Sequence, residues 1–191
     1  MKIGLYFGSF NPIHHGHLII ANYVLQNSNL NQIWFIISPQ NPLKPSGSLL
    51  NEYDRLYLVQ CAIEGEINLR AKDTEFKLPK PSFTVNTLAN LHELYPSCQF
   101  SIVMGSDSYS NLYRWKNYEF ILKNYPIYVY KRPGHDLNQT ANVNELTIIM
   151  DAPLLQISAT YIRQTIKRGK SVRYLVPEKV LEEIERNGYY K

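Results

Sequence analysis

One eleven-residue segment near the N-terminus, Gly8 to Leu18 with the sequence GSFNPIHHGHL, concentrates residues that can bind phosphate. In it His14 and His17 flank Gly16 at the point where a helix is predicted to begin. A helix N-terminus offers free backbone N–H groups and the positive end of its dipole to an anion, and two imidazoles beside it add further hydrogen-bonding groups. The glycine spacing matches neither the GxGxxG dinucleotide fingerprint nor the GxxxxGK[ST] P-loop. The histidines therefore carry the prediction of a phosphate-binding turn.

Two other interpretations of the same histidines stay open at this point. His14, His15 and His17 can be cap or surface side chains without a function, which is the usual state of a lone histidine. The three-residue spacing of His14 and His17 also suits a metal ion, but no neighbouring cysteine or acidic residue completes a ligand set. No metal site is therefore predicted.

A second segment, Ile157 to Arg163, has the same character near the other end of the chain. Ser158 and Thr160 lie at a predicted helix start, and Arg163 follows one turn later. Taken alone, this pattern describes a capped helix with a solvated arginine. Together with the histidine segment it predicts that two anion-binding helix ends, some 140 residues apart in the chain, meet at one edge of a sheet.

The composition limits the class of protein. A length of 191 residues suits one well-packed domain. The formal net charge is +4, from 20 lysines and arginines against 16 acidic residues, and no block of like charge concentrates it. Nucleic-acid-binding proteins usually carry a basic stripe, so no nucleic-acid partner is expected, whereas a site for anionic phosphates suits this charge.

Cysteine usage and hydropathy give the expected compartment. Cys61 and Cys98 lie in apolar contexts without redox or metal-ligand spacing, which predicts two free, buried thiols in the reducing cytoplasm. No apolar stretch approaches the ~20 residues of a membrane span, and the first apolar run is too short for a signal peptide. We therefore expect a soluble protein without a membrane partner, and the sequence leaves open whether it forms a homo-oligomer.

Short apolar, β-prone runs alternate with helical patterns along the chain. Strands are predicted at Ile3–Phe7, Gln32–Ser38, Gln99–Met104, Pro126–Tyr130 and Leu146–Met150, and helices at about 15–25, 51–64, 84–94, 158–167 and 177–186, with Asn51, Ser82 and Ser158 as N-caps. This alternation predicts an α/β fold, a doubly wound parallel sheet with right-handed crossovers, in one domain. Ligands of such sheets bind beyond the carboxyl ends of the strands, so the loops at Gly8, Pro39, Gly105 and Arg132 are expected to converge.

The motif HxGH at His14–His17, preceded by a strand and GSFNP, resembles the signature of the HxGH nucleotidyltransferase superfamily. The segment Ile157–Arg163 is similar to the ISSTxIR motif of the same superfamily, with Ala159 in place of a serine. The resemblance implies a Rossmann-like nucleotidyltransferase fold over residues 1–191, with a helical C-terminal part from about residue 158. It also implies that an anionic acceptor attacks the α-phosphate of a nucleoside triphosphate and displaces pyrophosphate, with Mg²⁺ bridging the triphosphate oxygens.

The same resemblance implies roles for individual residues. His14, His17, Arg163 and Lys44 are expected to stabilise the charge of the transition state, without a general base. The residues expected to contact ATP are Gly8, Ser9, Phe10, Gly16, Gly105, Asp107, Ile157, Ser158 and Thr160.

The middle of the chain bears on the acceptor. Residues 81–88, PSFTVNTL, closely resemble the PS[YF]TxDTL segment of bacterial nicotinate-nucleotide adenylyltransferases, with Asn86 where aspartate is common. In that family Thr84 would face the pyridine carboxylate and Trp115 would stack on the nicotinate ring. Arg132 resembles a late basic residue that contacts an acceptor phosphate, and Lys44, in the proline-rich loop with Pro39 and Pro42, resembles a lysine that faces phosphate. ATP and nicotinate mononucleotide are therefore the expected partners.

Each of these residues has a simpler interpretation when taken alone. Thr84 can be first-turn helix chemistry, Trp115 a core residue, Asp107 a helix cap, and Lys44 and Arg132 solvated charges. Other acceptors also remain, namely nicotinamide mononucleotide and phosphopantetheine. Two further classes are a nucleotide-binding regulator without turnover and a Rossmann domain that binds nucleic acid.

Overall fold

The computed structural model describes residues 1–40, 49–132, 134, 144–153 and 156–191. Its centre is a parallel sheet of six strands: β1 (Lys2–Gly8), β2 (Gln32–Ile37), β3 (Leu69–Lys72), β4 (Gln99–Gly105), β5 (Ile127–Tyr130) and β6 (Thr147–Met150). The strand order is β3-β2-β1-β4-β5-β6, and every neighbouring pair is parallel. The order reverses between β1 and β4, which is where ligands of this fold class bind.

Both faces of the sheet are buried because its central strands carry apolar side chains on both faces. On β2, Phe35 points into one core and Trp34 into the other, and on β1 Tyr6 and Leu5 divide in the same way. Successive side chains of a strand point to opposite faces, so a continuous apolar run needs cover on both sides. This confirms the predicted parallel sheet.

Helices cover both faces, as a doubly wound fold requires. The helices are α1 (His15–Gln26), α2 (Glu52–Ala62), α3 (Thr84–Leu94), α4 (Ser106–Tyr109), α5 (Tyr118–Asn124), α6 (Ala159–Lys167) and α7 (Glu178–Asn187), with short 3-10 helices at Thr74–Lys77 and Leu112–Arg114. The first core takes its helical side chains from α1, α2, α6 and α7, and the second from α3, α4 and α5. Among the described residues, no helix combines the length and the apolar character that crossing a membrane requires.

Most predicted elements are confirmed, and their observed ends differ from the predicted ones by a residue or two. The five predicted strands and five predicted helices all form, and Asn51 and Ser158 cap their helices through side-chain oxygens that accept from Tyr53 N and Tyr161 N. Pro177 precedes α7 as its N-cap residue instead of lying in its first turn.

Other predictions were wrong or incomplete, and α4 and α5 were not predicted. The edge strand β3 was not predicted, because of its four residues only Leu69 is buried and the surrounding segment is polar. Ser82 does not cap α3, because its hydroxyl donates to Glu75 instead and Phe83 is the N-cap residue. Cys61 and Cys98 are free, but they are half-exposed and not buried.

Candidate active site

The site lies at the carboxyl ends of β1 and β4, beside the point where the strand order reverses. Gly8 and Gly105 end these two strands, and each is crowded by a side chain of its own loop. A Cβ on Gly8 would lie 2.8 Å from the ring of Phe10, and one on Gly105 would lie 2.5 Å from Asp107 Oδ1. Glycine is therefore required at both strand ends by close packing.

The two signature histidines stack at the start of α1. Their ring centroids are 3.7 Å apart with 25° between the planes, and the backbone N–H of His14 donates to His17 Nδ1 over 3.3 Å. Because Nδ1 of His17 accepts this bond, the neutral ring carries its proton on Nε2 and can donate from there. Gly16 lets the pair form, since a Cβ at this position would lie 3.0 Å from His14 Nδ1. His14 is the N-cap residue of α1, so the cap interpretation holds for it, whereas the surface interpretation is excluded because it is only 4% exposed.

Both imidazoles are held neutral. Burial, with smaller effects from the charges of Arg132 and His15, lowers the pKa of His14 to about 3. Burial together with the charges of His14 and Arg132 also lowers the pKa of His17 well below its usual range. The Nδ1 atom of His14 is buried and has no hydrogen-bond partner among the described atoms, which is uncommon for a buried polar atom. The pair therefore presents hydrogen-bonding groups rather than fixed charges.

The neutral state of His14 predicts an acid-dependent loss of stability. The folded pKa of about 3 lies below the ordinary value of 6.5, so the unfolded chain takes up the proton first as the pH falls. The contribution of neutral His14 to the free energy of unfolding is complete above about pH 6.5. It is lost at up to about 1.4 kcal/mol per pH unit as the pH falls towards 3. We expect urea unfolding between pH 7.5 and 4.5 to show a shallower pH dependence for His14→Asn than for the wild type. Parallel curves for the two proteins would contradict a buried neutral His14.

Arg132 and Asp107 form an ion pair across the mouth of this site. Arg132 Nη1 lies 3.0 Å from Asp107 Oδ2, and the backbone N–H of Arg132 donates to Ser106 Oγ over 3.0 Å. Both side chains stay partly accessible, at 43% and 28% of their area. The Oδ1 atom of Asp107 is buried without a hydrogen-bond partner among the described atoms. The two residues, predicted separately as acceptor and nucleotide contacts, are therefore direct neighbours.

The second signature segment meets the first, as predicted. Arg163 Nη1 donates to the backbone carbonyl of Asn11 over 2.8 Å, across 152 positions of sequence, and its Nη2 donates to Thr160 Oγ1 over 3.4 Å. A Cβ on Gly16 would lie 3.8 Å from Ile157, so the starts of α1 and α6 are in contact. Arg163 is thus tied to the histidine segment and is not the free surface side chain that the pattern alone allowed.

Of the predicted acceptor residues, Thr84 lies at the start of α3, and the segment that contains Trp115 contacts this region. Thr84 is the first residue of that helix and is half-buried. Lys116 Nζ lies 5.0 Å from the ring of Phe83, which joins the segment after Trp115 to the α3 N-terminus. Trp115 itself is partly buried and packs against the second core. Lys44, Pro42 and Pro133 lie outside the described residues.

Two buried charged residues of the site were not predicted from the sequence. Arg55 on α2 is fully buried, and its guanidinium donates to four backbone carbonyls, those of Ser9, Ser38, Pro39 and Leu50. A signal existed, because Arg55 shares a helix face with Leu58 and Val59, both fully buried. Glu75, 2% exposed, lies in a polar stretch that gave no comparable signal.

Comparison with known proteins assigns the fold and site to a class. Residues 5–165 match the model of the cytidylyltransferase-like family. The chain is 50% identical to the protein of Flavobacterium psychrophilum named "Probable nicotinate-nucleotide adenylyltransferase" and 47% identical to the protein of the same name from Flavobacterium johnsoniae, in both cases over 100% of each chain. The protein therefore belongs to the nicotinate-nucleotide adenylyltransferase family.

Solved structures support the fold independently. The nicotinic acid mononucleotide adenylyltransferase of Plasmodium falciparum complexed with APC superposes with a TM-score of 0.82 at 19% identity, covering 99% of this chain and 96% of that chain. The complex of the same protein with NaAD gives a TM-score of 0.81 over 99% and 97%. At this identity the likeness establishes the Rossmann-like architecture.

Proposed function

We propose that this protein transfers the adenylyl group of ATP to nicotinate mononucleotide, forming deamido-NAD and pyrophosphate in NAD biosynthesis. The observation that carries the proposal is the contact between the two anion-binding helix starts, with the stacked His14 and His17 on one side and Arg163 on the other. Family membership and the names of the relatives support the same acceptor.

The triphosphate would lie over the turn between β1 and α1. Gly8 lies against the ring of Phe10 and Gly16 against His14, and Ser9 and Phe10 form the turn itself. Backbone N–H groups at the α1 and α6 starts, the latter including Ile157, Ser158 and Thr160, offer donors to phosphate oxygens. Gly105 and Asp107, at the end of β4, would hold the nucleoside part, where the unpaired Oδ1 of Asp107 accepts a hydroxyl.

The chemistry requires charge stabilisation rather than a base. An oxygen of the acceptor phosphate attacks the α-phosphorus in line, and the bond from that phosphorus to the bridging oxygen breaks, so that pyrophosphate leaves with the bonding electron pair. The attacking phosphate is already anionic, so no proton has to be removed. His14, His17 and Arg163, with Lys44 in the same role, stabilise charge that develops on the α-phosphate and the leaving oxygen.

Mg²⁺ would enter with the triphosphate as part of the substrate. Among the described residues, no three histidine, cysteine or acidic side chains are grouped closely enough to hold a metal ion. The carboxylate of Asp107, at the mouth of the site, already pairs with Arg132. Mg²⁺ would therefore be bound mainly by oxygens of ATP. Chelation of Mg²⁺ by EDTA should stop turnover.

The acceptor would bind between the start of α3 and the segment around Trp115. The N-terminus of α3, at Thr84, offers backbone donors to the pyridine carboxylate. The indole of Trp115 would stack on the electron-poor pyridinium ring, and Arg132 would contact the acceptor phosphate.

The proposal also covers the extent of the domain and the compartment. Residues 1–191 would act as one nucleotidyltransferase domain, because the C-terminal helices α6 and α7 contribute Ile162, Val180 and Ile184 to the same core as Tyr6 of β1. The two free thiols are consistent with a reducing cytoplasm.

An acceptor panel tests the proposed function. Pyrophosphate release from MgATP should be fastest with nicotinate mononucleotide, slower with nicotinamide mononucleotide and absent with phosphopantetheine. Turnover with phosphopantetheine and none with nicotinate mononucleotide would contradict the proposed acceptor. Calorimetric ATP binding without pyrophosphate release for any acceptor would instead favour a regulator without turnover.

A further inference from the structure

Glu75, in the 3-10 helix that follows β3, is a buried acid that the proposed chemistry does not use. It is 2% exposed, and each of its carboxylate oxygens accepts from a hydroxyl. Ser82 Oγ donates to Oε2 over 2.8 Å, and Thr87 Oγ1 donates to Oε1 over 2.9 Å. Both donors are buried as well. A carboxylate is costly to bury unless it is hydrogen-bonded, so this group depends on the two hydroxyls that hold it.

The two hydroxyls lie on either side of the start of α3. Ser82 immediately precedes the N-cap residue Phe83, and Thr87 ends the first turn of the helix. The backbone N–H groups of Asn86 and Thr87 both donate to the Phe83 carbonyl, over 2.9 and 3.2 Å, which closes that turn. One buried carboxylate therefore fixes the chain on both sides of Thr84, the residue proposed to face the acceptor.

Among the described residues, no side chain caps the start of α3. Ser82, the cap predicted from the sequence, donates its hydroxyl to Glu75, and the side chain of the N-cap residue Phe83 has no polar atom. The first turn contains no acidic residue either. A helix start whose N–H groups are not bonded by a capping side chain offers them to an anion from outside. The bond to Glu75 thus removes Ser82 from the capping role and leaves the donors of α3 to a ligand.

We propose that Glu75 is a positioning residue for the acceptor, because by holding Ser82 and Thr87 it keeps the first N–H groups of α3 in place and open to an anionic group. This inference rests on the proposed function, since it assigns the α3 start to the pyridine carboxylate of nicotinate mononucleotide. A helix N-terminus favours a carboxylate over a neutral amide. Loss of the Glu75 carboxylate should therefore weaken the binding of nicotinate mononucleotide more than that of nicotinamide mononucleotide.

The test replaces the carboxylate and measures the two substrates separately. Glu75→Gln keeps the volume, but only one of its two terminal atoms can accept, so one hydroxyl is released. We expect the KM for nicotinate mononucleotide to rise about tenfold and kcat to fall severalfold, with the calorimetric Kd for ATP within about twofold of the wild type. The Ki of nicotinamide mononucleotide as a competitor should rise less than the KM for nicotinate mononucleotide.

Glu183→Gln is the matched control. Its carboxylate also accepts one bond at each oxygen, from Arg186 Nη1 and Asn187 Nδ2. It lies on α7, whose apolar side chains belong to the first core, whereas those of α3 belong to the second core on the other face of the sheet. This variant should keep the KM for nicotinate mononucleotide and the Kd for ATP within about twofold of the wild type.

A second pair of variants tests the same bond from the side of the helix. Thr87→Val keeps the shape and removes the hydroxyl, so it should raise the KM for nicotinate mononucleotide as Glu75→Gln does, whereas Thr87→Ser keeps the donor and should stay within about twofold of the wild type. Because the two residues act through one bond, Glu75→Gln and Thr87→Val together should cost less than the sum of their separate losses. This pair decides the question if Glu75→Gln fails to fold.

Three results would overturn the inference. They are an unchanged or lower KM for nicotinate mononucleotide in folded Glu75→Gln, equal losses of affinity for ATP and acceptor, and a loss in Thr87→Ser as large as that in Thr87→Val. If the wild type itself fails to use nicotinate mononucleotide, the proposed function fails instead, and that result is distinct from the other three.

Discussion

Replacement of His14 by asparagine is expected to lower kcat by about 10²- to 10³-fold, the loss seen when one preorganised donor to a developing oxyanion is removed. Nδ1 of His14 is buried and unpartnered among the described atoms, and the ring stacks on His17, so the imidazole is held in place before any ligand binds. The group stabilises charge that appears only during transfer, so kcat and kcat/KM should fall together. Steady-state pyrophosphate release with nicotinate mononucleotide measures the effect.

His15→Asn is the matched control for this variant. His15 lies between the two signature residues, but its ring is not part of the stacked pair, and its contact in the turn is a backbone N–H donated to Leu175 O. Its replacement should change kcat by less than about twofold. Equal losses in the two variants would show that the segment is merely sensitive to substitution. The double variant His14→Asn/His17→Asn should lose little more than either single one, because residues that act as a unit are not additive.

The fold was predictable where the signal is local. Three features depend on only a few neighbouring residues: the apolar run of β2, the side-chain cap Ser158 and the left-handed glycine that ends α7, Gly188. β3 was not predictable in this way. It forms only because β2 offers an edge with which Leu69 to Lys72 can pair, and its own four residues carry too little apolar character to indicate a strand.

The residues of the site also divide into those that the sequence could predict and those that it could not. The meeting of the Ile157–Arg163 segment with the histidine turn was predictable from the rule that loops of a parallel sheet converge beyond its carboxyl ends. The ion pair of Asp107 with Arg132 was not, because each residue was assigned to a different substrate and their contact depends on how β4 and β5 lie side by side. The bonds from Arg55 to the carbonyls of Ser9 and Ser38 were also missed, since they join segments that are remote in sequence.

Arg55→Met should be the most destabilising single substitution that these observations identify. The wild-type guanidinium is fully buried and donates to the carbonyls of Ser9, Ser38, Pro39 and Leu50. Methionine fills much of the same space but donates nothing, so these backbone acceptors lose a buried partner. We expect the free energy of unfolding to fall by about 3–5 kcal/mol, measured by urea denaturation at pH 7.5. Arg168→Met, at an exposed arginine after α6, should change it by less than about 0.5 kcal/mol.

Arg55→Lys separates the charge of this residue from its geometry. A lysine keeps the positive charge but concentrates it at one ammonium, which cannot reach acceptors on several sides as a planar guanidinium does. We therefore expect Arg55→Lys to lose more than half as much stability as Arg55→Met. A loss below about 1 kcal/mol in both variants would mean that desolvation of the guanidinium already offsets its hydrogen bonds in the wild type. In that case the turn between β1 and α1 would be held chiefly by the Ser38 N–H bond to Gly8 and by the contact of Arg163 with Asn11.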